Sequence, residues 1–210
     1  LYSVFRMGAP TDNISWGAYE VISSDPAVRW AIPISLGDSH KGYRVLGTTA
    51  DYFKYFSYGN KRMLEISAGR EFIGTFDAVL GAEVAKTLGY SLNANIILAH
   101  GVASTSFTLH ENQPFSVVGI LAPTGTPVDQ TIHVQLSGIE AMHEDWPQGL
   151  KRTKVIDADS ISNESLVPDS ITAFMLGLNS RIAIFTVQRR INAFETEPLL
   201  AILPGVALSE

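Results

Sequence analysis

The side chains best able to do chemistry in this sequence are its five histidines and a scatter of carboxylates. His100, His110 and His133 fall in or beside predicted strands, and His143 closes a predicted helix. Glu140 and His143 stand one helical turn apart, with Glu144 and Asp145 adjacent. That spacing lets a carboxylate and an imidazole share a metal ion, as a zinc hydrolase would require. The plainer account is a solvated histidine at a helix C-terminus, where the helix dipole favours its charged form. The expectation is therefore that no metal is bound. His100 and His110 can face each other across a hairpin as a cross-strand polar pair. Asp129 follows Pro127-Val128 and is placed to accept hydrogen bonds from the N–H groups of its own turn, a structural duty. Glu83 is a lone carboxylate. Arg189-Arg190, beside Gln188, lie on the polar face of the last predicted helix, as solvated charges or as a contact with a partner.

Catalytic motifs are missing from the sequence. There is no Gly-x-Ser-x-Gly elbow and no Gly-x-Gly-x-x-Gly, and Gly125-Thr-Pro lacks the Gly-Lys of a nucleotide loop. The expectation is a protein without enzymatic activity, catalytic residues or cofactor. The chain has no cysteine, which excludes disulfides, cysteine-ligated zinc and a cysteine nucleophile. Its net charge of −6, with no basic run, argues against a surface that tracks nucleic-acid phosphates. At 210 residues, 46% hydrophobic and 17% charged, the chain can bury one large core or two small ones. No stretch approaches the roughly 18 uncharged apolar residues of a membrane span. The chain begins Leu1-Tyr-Ser, which reads as a segment of a longer protein or as a mature product.

The elements that would hold these residues centre on Phe115 to Asp129. Phe115-Ser-Val-Val-Gly-Ile-Leu121 is a strand by its β-branched, apolar content, and Pro123, Gly125 and Pro127 stop it. Thr131 to Leu136 alternates as a strand, and Ser137 with Glu140 forms a capping-box pattern that starts a helix. Trp146-Pro147-Gln-Gly149 ends that helix. Upstream, Tyr2 to Met7 reads as a strand, Ser15 as the cap of a helix bearing Trp16, Tyr19 and Ile22, and Val28 to Ile34 as a strand. Pro33 within it points to an edge or a bulge. Gly37-Asp-Ser-His40 reads as the turn into Tyr43 to Leu46.

Asp51 to Phe56 predicts one helical turn dense in aromatics, which suits a core or inter-lobe wedge better than a ligand cage. Gly59-Asn60-Lys61-Arg62 is an exposed loop. Ala78 to Leu80 is a strand, and Ala82 to Leu88 a helix closed by Gly89. Asn95 to Ala99 and Ser106 to Leu109 are expected to pair as strands. Lys151 to Ser170, polar and acidic, reads as a mobile loop. Ile171 to Leu178 is a strand. Ser180 caps a helix carrying Ile184, Val187, Ile191 and Phe194 on one face, and Leu199 to Leu203 is the closing strand. The chain thus opens and closes with β-α-β. The pattern predicts an α+β fold with one split lobe, residues 1–44 and 137–210, and an inserted mostly-β lobe, residues 45–136.

Val118-Gly-Ile-Leu121 and its Pro/Gly crossing, Val45-Leu-Gly-Thr-Thr-Ala-Asp-Tyr-Phe53, Gly69-Arg-Glu-Phe72 and Val79-Leu-Gly-Ala-Glu-Val-Ala85 occur in the order seen in one family. In these motifs the chain resembles the periplasmic core domain of MacB-type ABC transporter permeases. The resemblance implies a ferredoxin-like Porter lobe built from both chain ends and an inserted Sabre lobe. It implies a dimer of permease chains in the bacterial inner membrane, this domain facing the periplasm between the first and second transmembrane helices. The nucleotide site would lie on a separate ATPase subunit. ATP-driven motion would then reach a periplasmic substrate, lipoprotein or adaptor protein. The partner-contact candidates are Tyr52, Tyr55, Phe56, Tyr58, Asn60, Lys61, Arg62, Arg189 and Arg190, with the loop at Lys151 to Ser170. The competing expectation is a small-ligand-binding module with its pocket between the lobes, lined by Tyr52, Tyr55, Phe56, Trp146 and the histidines.

Overall fold

The computed structural model describes residues 13–100, 114–144 and 166–203. The first elements are β1 (Ile14–Ser15), α1 (Trp16–Ser23), β2 (Val28–His40) and β3 (Tyr43–Thr48). Next come α2 (Asp51–Tyr55), β4 (Ser57–Tyr58), β5 (Arg62–Met63), β6 (Ile66–Gly69), β7 (Asp77–Leu80) and α3 (Ala82–Leu88). β8 (Asn95–Ile96), β9 (Ala99–His100), β10 (Phe115–Leu121), a 3-10 turn (Pro127–Gln130), β11 (Thr131–Gln135) and α4 (Leu136–Glu144) follow. β12 (Ser170–Ile171), β13 (Ala173–Leu178), a second 3-10 turn (Arg181–Ala183) and α5 (Ile184–Asn192) complete the described elements. The chain divides into two compact units, Leu1–Ile34 with Asp169–Glu210, and Ser35–Pro168. The expected strands at Tyr2–Met7 and Ser106–Leu109, the stop at Trp146–Gly149 and residues 151–165 of the polar loop lie outside the described residues.

In the unit formed by the two chain ends, the Ser15 hydroxyl accepts from the Ala18 N–H at 3.2 Å and caps α1. β1 pairs antiparallel with β12, and the Val28–Ile34 part of β2 pairs antiparallel with β13. The single strand expected over Ile171–Leu178 is thus divided at Thr172 between two partners. Pro33 sits opposite Phe174 in the β13 ladder. Val187 and Ile191, one turn apart on α5, join Ile22 in a small core against Phe174, Leu176 and Leu178. The closing strand expected at Leu199–Leu203 does not form. Gln188 Nε2 donates to the Ala201 carbonyl at 3.0 Å, and the Ala201 N–H donates to Asn192 Oδ1 at 2.7 Å. Side chains of α5 take the backbone groups that a neighbouring strand would otherwise satisfy.

The second unit is a mixed sheet in the order β3-β11-β7-β10-β6, with β8 on β10 and β9 on the Ser35–His40 part of β2. β11 runs parallel to β3, and β10 parallel to β7. Burial alternates along β10, with Phe115, Val117 and Leu121 inside. Val45, Ala78, Leu80, Ile132 and Val134 build the core with Val84 of α3 and with Ile139 and Met142 of α4. The turn of β2 into β3 falls at Lys41-Gly42, both at positive φ (48° and 85°), not at Gly37–His40. A two-residue turn of that kind matches the twist of the flanking strands, and the Gly-Asp pair upstream becomes a register shift between Leu36 and Ser39.

Two further differences concern α4 and the segment before β10. α4 begins at Leu136, so Ser137 lies inside the first turn, where its buried Oγ has no hydrogen-bond partner; the capping box does not form. Asn95–Ala99 is not one strand: Asn95–Ile96 pairs with β10, and Ala99–His100 with β2. The boundaries also shift. Residues 35–44, and 137 onward through Pro168, belong to the inserted unit rather than the split one. Gly138 explains the second shift. A β-carbon there would strike the Thr75 carbonyl oxygen and come within 2.7 Å of the Phe115 ring, so glycine lets α4 lie directly on this sheet.

Candidate partner-contact surface

The aromatic segment builds mainly inward. α2 buries Tyr52 and Phe53 on the sheet face that carries His133. The Tyr52 ring lies 5.2 Å from His133 and stacks on Phe56 at 4.8 Å, and Phe53 meets Phe72 edge-on at 5.0 Å. Burial raises the Tyr52 phenol well above its usual range. Tyr52 is thus a core residue and drops out as a contact with any partner, as the core-wedge reading anticipates. Burial also lowers His133 to about 4, against a weak opposing bond from Nδ1 to the Val79 carbonyl at 3.3 Å. Its Nε2 is buried without a partner, as is Thr49 Oγ1.

The segment's outer part is different. Tyr55, Phe56 and Tyr58 are half-buried, and Lys54 Nζ lies 4.8 Å from the centre of the Tyr55 ring. A hydrogen bond to the Tyr55 side chain raises the Lys54 ammonium above its ordinary value. β4 and β5 pair antiparallel, joined by a turn in which Gly59 (φ 51°) and Lys61 (φ 60°) take left-handed backbone. That turn presents Asn60, Lys61 and Arg62 to solvent. These candidates form one continuous stretch of the inserted unit.

Arg189 and Arg190 stand in the other unit, on α5. Arg189 is exposed, whereas Arg190 is held by Asp25 at 2.7 Å. Sequence reasoning missed Phe185 at the start of α5 and Ile182 in the 3-10 turn before it, both exposed large apolar side chains. The signal was present, because Phe185 falls off the Ile184-Val187-Ile191 stripe.

The carboxylates serve loops. Asp129 accepts from the Thr124 N–H and hydroxyl and from the Gly125 N–H, each at 2.8 Å, which is the structural duty expected of it. Asp77 accepts from Ile73 N–H, Gly74 N–H and Arg70 Nη1. Burial pushes its pKa up, but these bonds and the Arg70 charge outweigh it and leave the group below its usual value. Glu83 accepts from Gln130 Nε2 at 3.0 Å. His110 and the side chains of His100 and His143 lie outside the described residues. Among the described residues, no three His, Asp or Glu side chains cluster as a metal site. No described helix is long and apolar enough to cross a membrane.

An α+β domain with a mixed sheet, both chain ends in one unit and an inserted second unit is an architecture with solved counterparts. The structure resembles the periplasmic region of MacB from Actinobacillus actinomycetemcomitans, with TM-score 0.58 at 11% identity over 97% of this chain and 86% of that one. It also resembles the extracellular domain of the noncanonic ABC-type transporter YknZ from Gram-positive bacteria, with TM-score 0.52 at 11% identity over 91% and 88% of the two chains. At such identity the likeness establishes the fold alone, that of the MacB periplasmic domain. No curated protein matches the sequence. The family profile of MacB-like periplasmic core domains matches residues 1–194, and the chain belongs to that family. It is the periplasm-facing domain of a MacB-like ABC transporter permease, a membrane transporter that works with ABC ATPase subunits. Domains of this family are generally non-catalytic.

Proposed function

We propose that this domain transmits motion driven by ATP hydrolysis to a periplasmic substrate, lipoprotein or adaptor protein, and catalyses no reaction itself. The permease acts as a dimer in the bacterial inner membrane, with this domain between its first and second transmembrane helices. The observation that carries the reading is the division of the chain. Leu1–Ile34 and Asp169–Glu210 form one unit, and Ser35–Pro168 the other. A membrane helix joined to either end would act on the same unit, which takes the part of the Porter-like lobe. β2 runs from that unit into the inserted, Sabre-like one. The switch is a rigid-body movement, with no step of covalent chemistry.

The partner contacts in this reading are Tyr55, Phe56, Tyr58, Asn60, Lys61 and Arg62 on the inserted unit, with Arg189 and Arg190 on α5. Exposure of the 60–62 turn supports its part, and the ion pair to Asp25 leaves Arg190 the weaker candidate. Replacing Asn60, Lys61 and Arg62 together by alanine in the full-length permease, with its ATPase, is expected to lower transport by about tenfold while ATP hydrolysis persists. Transport at the unaltered rate would overturn the assignment of that turn.

A further inference from the structure

We infer that the outward face of α5, with the chain segment beside it, binds an acidic amphipathic segment of a partner protein. This rests on the mechanical reading above. Ile182 is 91% exposed, Phe185 68% and Leu200 78%, the highest values among the exposed large apolar side chains of this unit. Phe185 lies on α5, Ile182 in the 3-10 turn that leads into it, and Leu200 next to Ala201, which α5 holds. With Val187 and Ile191 turned to the core, the helical period puts Phe185 and Arg189 on the opposite face. The flank bearing Gln188 and Asn192 adjoins Phe185 on that wheel, and both of these side chains hold Ala201. Leu199 and Ala201 pack inward, and Leu200 between them faces out. An apolar cluster kept in water marks a contact surface more often than single exposed residues do.

Charge identifies the occupant. Arg181 and Arg189 are exposed at the two ends of the Ile182–Phe185 strip. Among the described residues neither has a carboxylate in ion-pair range, whereas Arg190 is already engaged by Asp25. Apolar anchors between two guanidinium forks are complemented by an apolar segment flanked by carboxylates. An anionic bilayer fits less well, because it would present charge to a whole face of a chain of net charge −6, whereas a short segment meets chiefly Arg181 and Arg189.

The test places a photo-crosslinking amino acid at position 185 of the full-length permease, expressed with its ATPase in cells. The expected product is a crosslink to one periplasmic protein, mapped to a segment carrying both apolar residues and Asp or Glu. Arg181→Glu with Arg189→Glu should reduce that product by about tenfold. Changing the mapped carboxylates to lysine should restore it. No crosslink above that of a permease with the crosslinker at exposed Glu83, a crosslink to lipid or to a second permease chain, or a yield unmoved by charge reversal would each overturn the inference. Transport measured in the same cells separates the two claims: a charge-dependent crosslink without any transport defect in Arg181→Glu/Arg189→Glu keeps the surface and removes its mechanical role.

Discussion

The two units are held together in part by different means. The inserted unit has a sheet with fully buried residues on both faces: Ile132, Val134 and Phe115 on one, and His133 among aromatic rings on the other. The unit of the chain ends buries Ile32, Ile34 and Ile171 fully and adds a small cluster of Ile22, Val187 and Ile191, while every residue of β13 is half-buried. It adds bonds between the two ends of the sequence, Glu197 to the Ser15 N–H and Arg190 to Asp25, and nearer ones from Gln188 and Asn192 to Ala201. Such bonds are each worth about 1 kcal/mol, whereas burying a large side chain is worth roughly 2–3 kcal/mol. The contrast teaches that packing sets both units, and that in the end unit polar ties between the two ends of the sequence add to it.

Gly138→Ala should make the strongest break in that contrast. The new methyl has no room between the Thr75 carbonyl and the Phe115 ring, so the cost is about 3 kcal/mol. Hydrogen exchange should show faster opening of β7, β10 and β11 and unchanged protection in α1 and α5. Equal loosening of both units would mean that they do not fold as separate cooperative bodies.

A comparable effect comes from acid. His133 is neutral in the fold, lowered by burial from 6.5 to about 4. Its contribution is complete above pH 6.5, is lost as pH falls from there towards 4, and amounts to about 3 kcal/mol over that window. Denaturant melts of wild type and His133→Leu between pH 7.5 and 4 should diverge in that direction, with the wild type losing more. Parallel curves would show that the imidazole is hydrated in solution. The smallest effect is expected in the end unit. Arg190→Ala should cost about 0.5 kcal/mol, and less in high salt, because the guanidinium is 54% exposed. A salt-insensitive loss of several kcal/mol in equilibrium melts would show that the ion pair is central to this unit.

Much of the fold was legible locally. Ser15 before Trp16-x-x-Tyr19, Gly89 after Leu88, and the β-branched run Phe115–Leu121 each carry their own signal, because caps and strand patterns depend on neighbours in sequence. The residues misjudged depended on distant ones. Gly37-Asp-Ser has turn composition, yet the turn moved to Lys41-Gly42, where the ladder from His40↔Tyr43 fixes it. Leu199–Leu203 has strand composition, but its backbone groups found the side chains of α5 first. At the candidate surface, the exposure of Asn60, Lys61 and Arg62 could be read from the turn. The aromatic density of Asp51 to Phe56 pointed to a wedge, but that Tyr52 turns inward while Tyr55 does not could not be read, because it is decided by His133, far along the chain.

By itself, then, the sequence determined most of the element types, the family motifs from Val45 to Leu121 and the absence of any familiar catalytic pattern, all of which rest on local residue chemistry. Only the tertiary structure decided where one unit stops and the other begins, which aromatics are core, and that Ile182, Phe185 and Leu200 remain in water. Burial and strand pairing are settled by residues that meet only after the chain has folded, so no local pattern can state them.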